Sequence, residues 1–184
     1  MTVGIGMVNV KTNSPGYKLF IGMTGNTSTL NGNSTNIPAT SGTITAPTSL
    51  TRGTWGYAVP SNTDNLVANG FSSSYSEMAS SLPNASYRFA IPPTSINNPD
   101  LLADATTATT STGDNYPIYY GVRANMATAE GSYTNNVMFT AVADAGTTET
   151  MTLTPSTIDA DTATTVIVKT SLYGTDSSAI ANIT

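Results

Sequence analysis

The chain has 184 residues, a formal net charge of −5, and neither histidine nor cysteine. An apolar share of 39% can form the core of one domain of ordinary size. Without imidazole or thiol groups, the chain has no histidine base, cysteine nucleophile, thiolate metal site or disulfide. Its carboxylates are scattered and no basic cluster accompanies them, which disfavours binding to nucleic acid or to anionic lipid.

Composition also predicts the structural class. Charged residues make up 9% of the chain, against roughly 25% in an average soluble protein, and Thr, Ser, Asn, Ala and Gly fill the difference. Thr favours strands, whereas Asn and Gly favour turns. No apolar run approaches the roughly 20 residues of a membrane-spanning helix. We therefore expect an all-β protein without membrane insertion in this sequence.

The first two predicted strands cover residues 2–12 and 17–23. The Asn-Ser-Pro-Gly sequence between them, at 13–16, has the composition of a tight turn, so we expect an opening hairpin. Gly4 and Gly6 predict a bulge or a close backbone approach in the first strand. Four apolar residues of the second strand alternate to one side: Tyr17, Leu19, Ile21 and Met23.

The middle of the chain is expected to alternate short strands with polar loops. Strands are predicted at 55–59 and 87–91, and a short edge strand at 43–45. Residues 62–82 are expected to form a loop with one turn of helix. Residues 104–114 are predicted to be an exposed strand or a disordered link.

Residues 132–143 form the longest segment with strand character throughout, and we expect the rest of the domain to cover its apolar face. That face carries Tyr133, Val137, Phe139 and Ala141. The strand is predicted to be central and buried, and to form a closing hairpin with a strand at 117–123. In that setting, Phe139→Ala would cost about 3 to 5 kcal/mol.

A boundary near residue 145 separates a predicted β-sandwich domain, 1–145, from a C-terminal segment, 146–184. The segment has strand patterns at 151–155 and 164–170, but it is too short for an independent core. It either docks on the first domain or begins a truncated second domain. Residues 164–170 carry apolar side chains on both faces, and residues 2–7 are likewise rich in apolar side chains. The two ends are therefore expected either to complete the sheets of neighbouring domains or subunits, or to pack on their own domain.

Several segments resemble bacterial surface proteins. Residues 120–122 and 129–141, where Ala-Glu-Gly-Ser-Tyr leads into the last strand, resemble the final two strands of bacterial immunoglobulin-like surface domains. Residues 8–19 and the Trp-Gly-Tyr of 55–57 are similar to segments of Thr-rich cell-surface or pilus-type proteins of Gram-positive and candidate-phylum bacteria. Residues 152–156 and 164–168 are similar to the start of a plexin/transcription-factor-type (IPT/TIG) module. With several short strands, these resemblances imply an immunoglobulin-like antiparallel β-sandwich with long Thr/Ser/Asn-rich loops.

Two candidate sites follow from residue types. Four aromatic residues are candidates for a platform that stacks on sugar rings, although strand aromatics more often serve as core residues or cross-strand pairs, and that alternative is favoured. The four are Trp55, Tyr57, Tyr119 and Tyr120. The other candidate is an isopeptide crosslink of the kind found in some pilin-like domains, for which no buried activating carboxylate is evident. Its residues would be Lys11 or Lys18 with Asn135 or Asn136.

Metal binding is not expected. Calcium requires a dense alternation of acid, Asn and Gly that no loop of this sequence has, and turn capping is the favoured role of the aspartates. The aspartates considered were Asp100, Asp104, Asp114, Asp159 and Asp161. We predict neither a metal nor another cofactor.

Two function classes remain. A non-enzymatic structural or adhesive role on a bacterial cell surface is favoured. The missing cysteine fits an exported bacterial protein made without disulfides as well as a cytosolic protein, and the Thr/Ser/Asn excess favours the exported one. The alternative is a carbohydrate-binding module of a secreted enzyme. An enzyme ranks third, since Ser or Asp without a base forms no recognisable catalytic group, and a viral or phage capsid domain stays open. The expected partners are neighbouring domains or subunits and, second, host or cell-wall glycans.

Overall fold

The computed structural model of the protein describes residues 1–75 and 87–144. In this part of the chain there are eight strands and no helix, and every strand pairing is antiparallel, which confirms the all-β prediction. The strands are β1 Thr2–Val10, β2 Tyr17–Met23, β3 Leu30–Asn31, β4 Asn36–Ile37, β5 Thr54–Ala58, β6 Asp100–Ala105, β7 Asp114–Arg123 and β8 Val137–Ala143.

Six of these strands form two three-stranded sheets packed face to face. The strand order is β1-β7-β5 in sheet A and β6-β2-β8 in sheet B, while β3 and β4 pair separately. The alternating apolar side chains of β2 are buried as predicted, and they face β7. Tyr17 Oη lies 2.6 Å from Tyr116 Oη across the interface. The predicted β-sandwich is therefore present, and its immunoglobulin-like subtype stays a prediction.

The two sheets are aligned strand over strand. Because Tyr17 of β2 contacts Tyr116 of β7, the two central strands lie over each other. Tyr57 of β5 reaches Asp100 of β6 at 3.5 Å, so β6 lies over β5. The strand orders then place β8 over β1, on the opposite side of the sandwich. Each side of the sandwich is thus formed by one edge strand of each sheet.

Irregular segments form a third layer on the outer face of sheet A. Gly56 and Gly121 are register partners there, and a Cβ added to Gly121 would lie 2.5 Å from the Phe89 ring. This pair of glycines therefore admits Phe89, which is fully buried. A bridge from Ala90 to Tyr57 attaches the layer to the sheet, and a bridge from Phe89 to Thr48 joins two irregular segments.

The two predicted hairpins are wrong. β1 pairs with β7, and β2 pairs with β6 and β8, so the first two strands belong to different sheets. β7 and β8 likewise lie in different sheets. The links at 11–16 and 124–136 are longer than the roughly two to five residues of a hairpin loop, which lets the chain cross between layers.

The predicted position of the last strand is also wrong. β8 begins at Val137 instead of residue 132, and it is an edge strand of its sheet rather than a central one. Its predicted faces are nevertheless correct, because Phe139 is opposite Ile21 and both point inwards. Phe139 is only partly buried, since the matching strand of sheet A, β1, is also at an edge.

Several shorter elements differ from the sequence-based expectations. Residues 43–45 form a turn closed by hydrogen bonds between Thr43 and Ala46. The expected bulge in β1 is absent, because its register with β7 runs unbroken from Thr2 to Val10. No helical turn occurs in the described part of 62–82, and the segment 87–91 contributes isolated bridges. Part of 104–114 belongs to β6 and β7, and β6 itself was not predicted, because its two aspartates mask a short apolar run.

The C-terminal segment 146–184, with both of its predicted strands, lies outside the described residues. Within 1–75 and 87–144, the structure has no helix with the length and apolar character needed to cross a membrane.

Burial predicts a clear difference between two phenylalanines. Phe89→Ala should lower the free energy of unfolding by about 3–5 kcal/mol, because the ring is fully enclosed. Phe139→Ala should cost about half as much, since its ring is partly exposed at the edge of sheet B. Urea unfolding of the two variants measures both losses. Equal losses would place Phe139 in the core and contradict the strand order.

Candidate functional site

The described surface has two features that suit binding: an uncovered side of the sandwich and a cleft beside β7. We use the term open side for the surface formed by the free edges of β1 and β8. Among the described residues, neither strand has a neighbour beyond β7 and β2, respectively. On the opposite side, by contrast, Ala39 and Ala90 bridge to β5, and Leu66 bridges to β6.

Side chains that point into the sandwich are exposed at the open side. Gly4 of β1 is exposed, and a Cβ added to it would have no neighbour within 4 Å. Ala141 of β8, which is opposite the buried Leu19, is also exposed. The two sheets therefore do not close over the core along this side.

The two free edges lack the features that usually prevent strand pairing. Natural edge strands are protected by charged residues, proline or bulges. Neither β1 nor β8 contains a charged residue or proline. Ile5 and Met7 of β1 are 45% and 59% exposed, and Val142 of β8 is 50% exposed. As far as the structure describes the chain, these edges are therefore available to hydrogen-bond an additional strand.

The cleft lies where β5 ends. Pro60 follows β5, which pairs only with the second half of β7, from Tyr119 to Arg123. The first half of β7, from Asp114, therefore has no strand neighbour on that side among the described residues. Segments around Thr63 and Ser73 approach instead and leave a cleft of about 640 Å³, a volume within the usual range of ligand pockets.

A buried hydrogen-bond network connects the cleft with the sandwich interior. Tyr17 Oη donates its only proton to Asp114 Oδ2 at 2.7 Å. In the hydrogen bond between the two phenols, Tyr116 is therefore the donor and Tyr17 the acceptor. Burial, and then the bonds to Tyr116 and Asp114, raise the pKa of Tyr17 far above its ordinary value. Burial also raises the pKa of Tyr116. Both phenols thus stay neutral, and Asp114 is held in place at the cleft.

The four candidate aromatics do not form one exposed platform. Trp55 is buried beside Met23, and its Nε1 donates to Ser28 O at 2.8 Å. Tyr57 is fully buried in the main core, so the favoured core role is confirmed for both residues. Tyr120 is partly buried, and it packs against both the core around Tyr57 and the smaller cluster of Met23, Ile37 and Trp55.

Tyr119 is the one predicted aromatic that lines the cleft. Because its neighbour in sequence, Tyr120, points to the inner face of sheet A, Tyr119 points to the outer face. Its ring stacks on Tyr75 with a centroid distance of 5.2 Å and an interplanar angle of 26°. Tyr119 is partly buried, and its accessible part faces the cleft.

Lys18, a candidate for the crosslink, instead forms ion pairs. Its Nζ lies 2.9 Å from Asp104 Oδ1 and 3.7 Å from Asp144 Oδ1. The hydrogen bond to Asp104 raises the pKa of Lys18, which favours the charged ammonium over a nucleophilic amine. Ion pairs as exposed as this one are common on protein surfaces and contribute little to stability.

The structure does not bring the candidate lysines and asparagines together. Asn135 Nδ2 donates to Thr27 O and Thr29 O. Asn136 O accepts from the backbone amide of Thr24, the residue that follows β2. Lys18 is near the start of β2, and Lys11 follows Val10 at that same end of the sandwich. The lysines and asparagines therefore lie at opposite ends.

The aspartates considered for calcium are also separated. Asp104 contacts Lys18, Asp114 contacts Tyr17, and Asp100 contacts Tyr57. The residues that the structure describes contain no group of three or more acidic side chains that could hold a metal ion. Asp159 and Asp161 lie outside the described residues.

Sequence reasoning missed the start of β7, and with it the cleft. The predicted strand began at Pro117, directly before the alternating Ile118, Tyr120 and Val122. The strand begins instead at Asp114 and continues through Pro117. Pro117 lies in the half of β7 that pairs with β1 but has no strand neighbour on the β5 side. Tyr116 alternates with Ile118 and would have supported this earlier start.

Comparisons with protein-family models, with curated proteins and with solved structures find no match for this chain.

The partly buried Asp100 gives a pH-dependent prediction. Burial raises the pKa of Asp100 above its ordinary value of 3.8, which outweighs the opposing effect of Tyr57. The folded state therefore binds the proton more tightly than the unfolded state, and this residue's contribution to stability falls as pH rises above 3.8. Asp100→Asn removes that loss, so the variant should gain stability relative to the parent between pH 3 and pH 7. Urea unfolding at both pH values tests this, and a constant difference would contradict it.

Proposed function

We propose that this chain is a non-enzymatic, extracellular structural or adhesive protein of a bacterial cell surface, and that its partners are neighbouring domains or subunits joined by strand addition. The low charge content and the Thr/Ser/Asn-rich loops support an exported surface protein. The open side is the observation that carries the assembly part of the proposal. Two free, uncharged strand edges on one side form a surface that an additional strand can complete.

The position of the first strand restricts how this assembly works. The expectation for residues 2–7 was either addition to the sheet of a neighbour or packing on their own domain. In the structure they belong to β1, which pairs along its whole length with β7 of its own domain. In our proposal the first strand is therefore an acceptor rather than a donor. The expectation that residues 164–170 provide an added strand stays a prediction.

Gly4→Lys tests this proposal. The new side chain has open space at Gly4, and the backbone there does not require glycine, so the monomer should fold normally. An added strand would bury an unpaired ammonium, which is strongly unfavourable. We expect the parent chain to associate with increasing concentration. We expect the variant to associate at least about ten-fold more weakly, a change of about 1.4 kcal/mol, in sedimentation equilibrium.

Val67→Lys is the matched control. It adds the same charge at an exposed residue beside β6, on the covered side of the sandwich. The control should associate like the parent chain. A parent chain that is strictly monomeric at high concentration would contradict assembly through the open side, and so would unchanged association of Gly4→Lys.

A further inference from the structure

We infer that the cleft beside the first half of β7 is a binding site for a neutral saccharide. The inference does not depend on the proposed assembly, because the cleft and the open side lie on different flanks of β7. It also differs from the platform suggested by the sequence, since Trp55 and Tyr57 are buried and only Tyr119 of the four aromatics takes part.

The charge of the cleft excludes anionic ligands. Asp64 and Asp114 line it, and no lysine or arginine is among its described lining residues. A phosphate, sulfate or uronate would meet two carboxylates without a compensating cation. The ligand is therefore neutral or cationic.

The remaining polar groups favour a neutral polyhydroxy ligand over a cation. Hydroxyl and amide groups supply most of the other polar lining, and these groups both donate and accept hydrogen bonds, as sugar hydroxyls do. They belong to Asn62, Thr63, Ser73, Ser74, Thr110 and Asn115. A cation needs acceptors alone, so the donor groups of these side chains would have no role in binding it.

The cleft also has apolar surface for the C–H face of a sugar ring. Tyr119 is held in position by its stack on Tyr75, whose hydroxyl donates to Arg88 O at 2.7 Å. A ring fixed in this way loses little conformational freedom on binding. Pro60 and Pro117 add further apolar surface. Carboxylates, amides and a fixed aromatic ring in one cleft match the alternating polar and apolar surfaces of a sugar.

The test uses the full chain and four neutral tetrasaccharides: maltotetraose, cellotetraose, mannotetraose and chitotetraose. Amide chemical shifts are followed by NMR as each sugar is added up to about 10 mM, which detects binding in the millimolar range. We expect at least one sugar to shift the amides of Asn115 and Tyr119. Tyr119→Ala should weaken that binding at least ten-fold, whereas Tyr119→Phe, which keeps the ring, should stay within about two-fold.

Two further variants change exposed residues, so a loss of sugar binding in them does not reflect a loss of folding. Asp64→Asn and Asn115→Ala change exposed cleft residues and should each weaken the same sugar several-fold. Asp104→Asn makes the matching charge change on sheet B and should leave binding unchanged. The inference is overturned if none of the four sugars shifts cleft amides. It is also overturned if Ca²⁺ or spermidine shifts them and no sugar does, because the cleft is then a cation site.

Discussion

The contact between Tyr17 and Tyr116 fixes how the two sheets lie on each other. Both rings are buried in the interface, and Asp114 accepts the hydrogen bond that orients the pair. A phenol without its partner there would be a buried, unsatisfied polar group, so a shift of one sheet over the other is disfavoured. With β2 over β7, the contact between Tyr57 and Asp100 places β6 over β5, so β1 and β8 come to the same side. The open side and the position of Asp114 at the cleft both depend on this alignment.

The two sides of the sandwich are covered differently. On one side, the irregular segments around Ala39, Leu66 and Ala90 bridge to β5 and β6 and close the edges. Val3, the register partner of Gly121, is buried in the same core as Phe89, whereas Ile5 and Met7 further along β1 are exposed. The long polar loops therefore have a structural role, since they replace the additional strands that a larger sandwich would use. Within residues 1–75 and 87–144 no segment covers the open side, and that asymmetry supports assembly through it.

Local patterns in the sequence predicted the faces of the strands but not their partners. The alternation in β2 and β8 identified the inward residues correctly, because side-chain alternation is a property of each strand by itself. The partners β1 with β7 and β2 with β8 are far apart in sequence, and no local signal specifies them. Turn residues at 13–16 indicated a change of direction but not whether the chain stays in the same sheet. Among the candidate site residues, Tyr119 was identified by residue type, whereas Asp114 was considered only as a calcium ligand, because its position beside the end of β5 follows from tertiary structure alone.

Amide hydrogen exchange of the dilute, monomeric chain tests the arrangement most directly. Backbone amides of β2, and of β7 from Tyr119 to Arg123, should exchange slowly, because these segments have a strand neighbour on both sides. Along β1 and β8, alternate amides point away from the neighbouring strand and should exchange fast, close to the rate of an unprotected amide. Slow exchange at these outward amides in the monomer would mean that the free edges are covered within a single chain, which would contradict the open side.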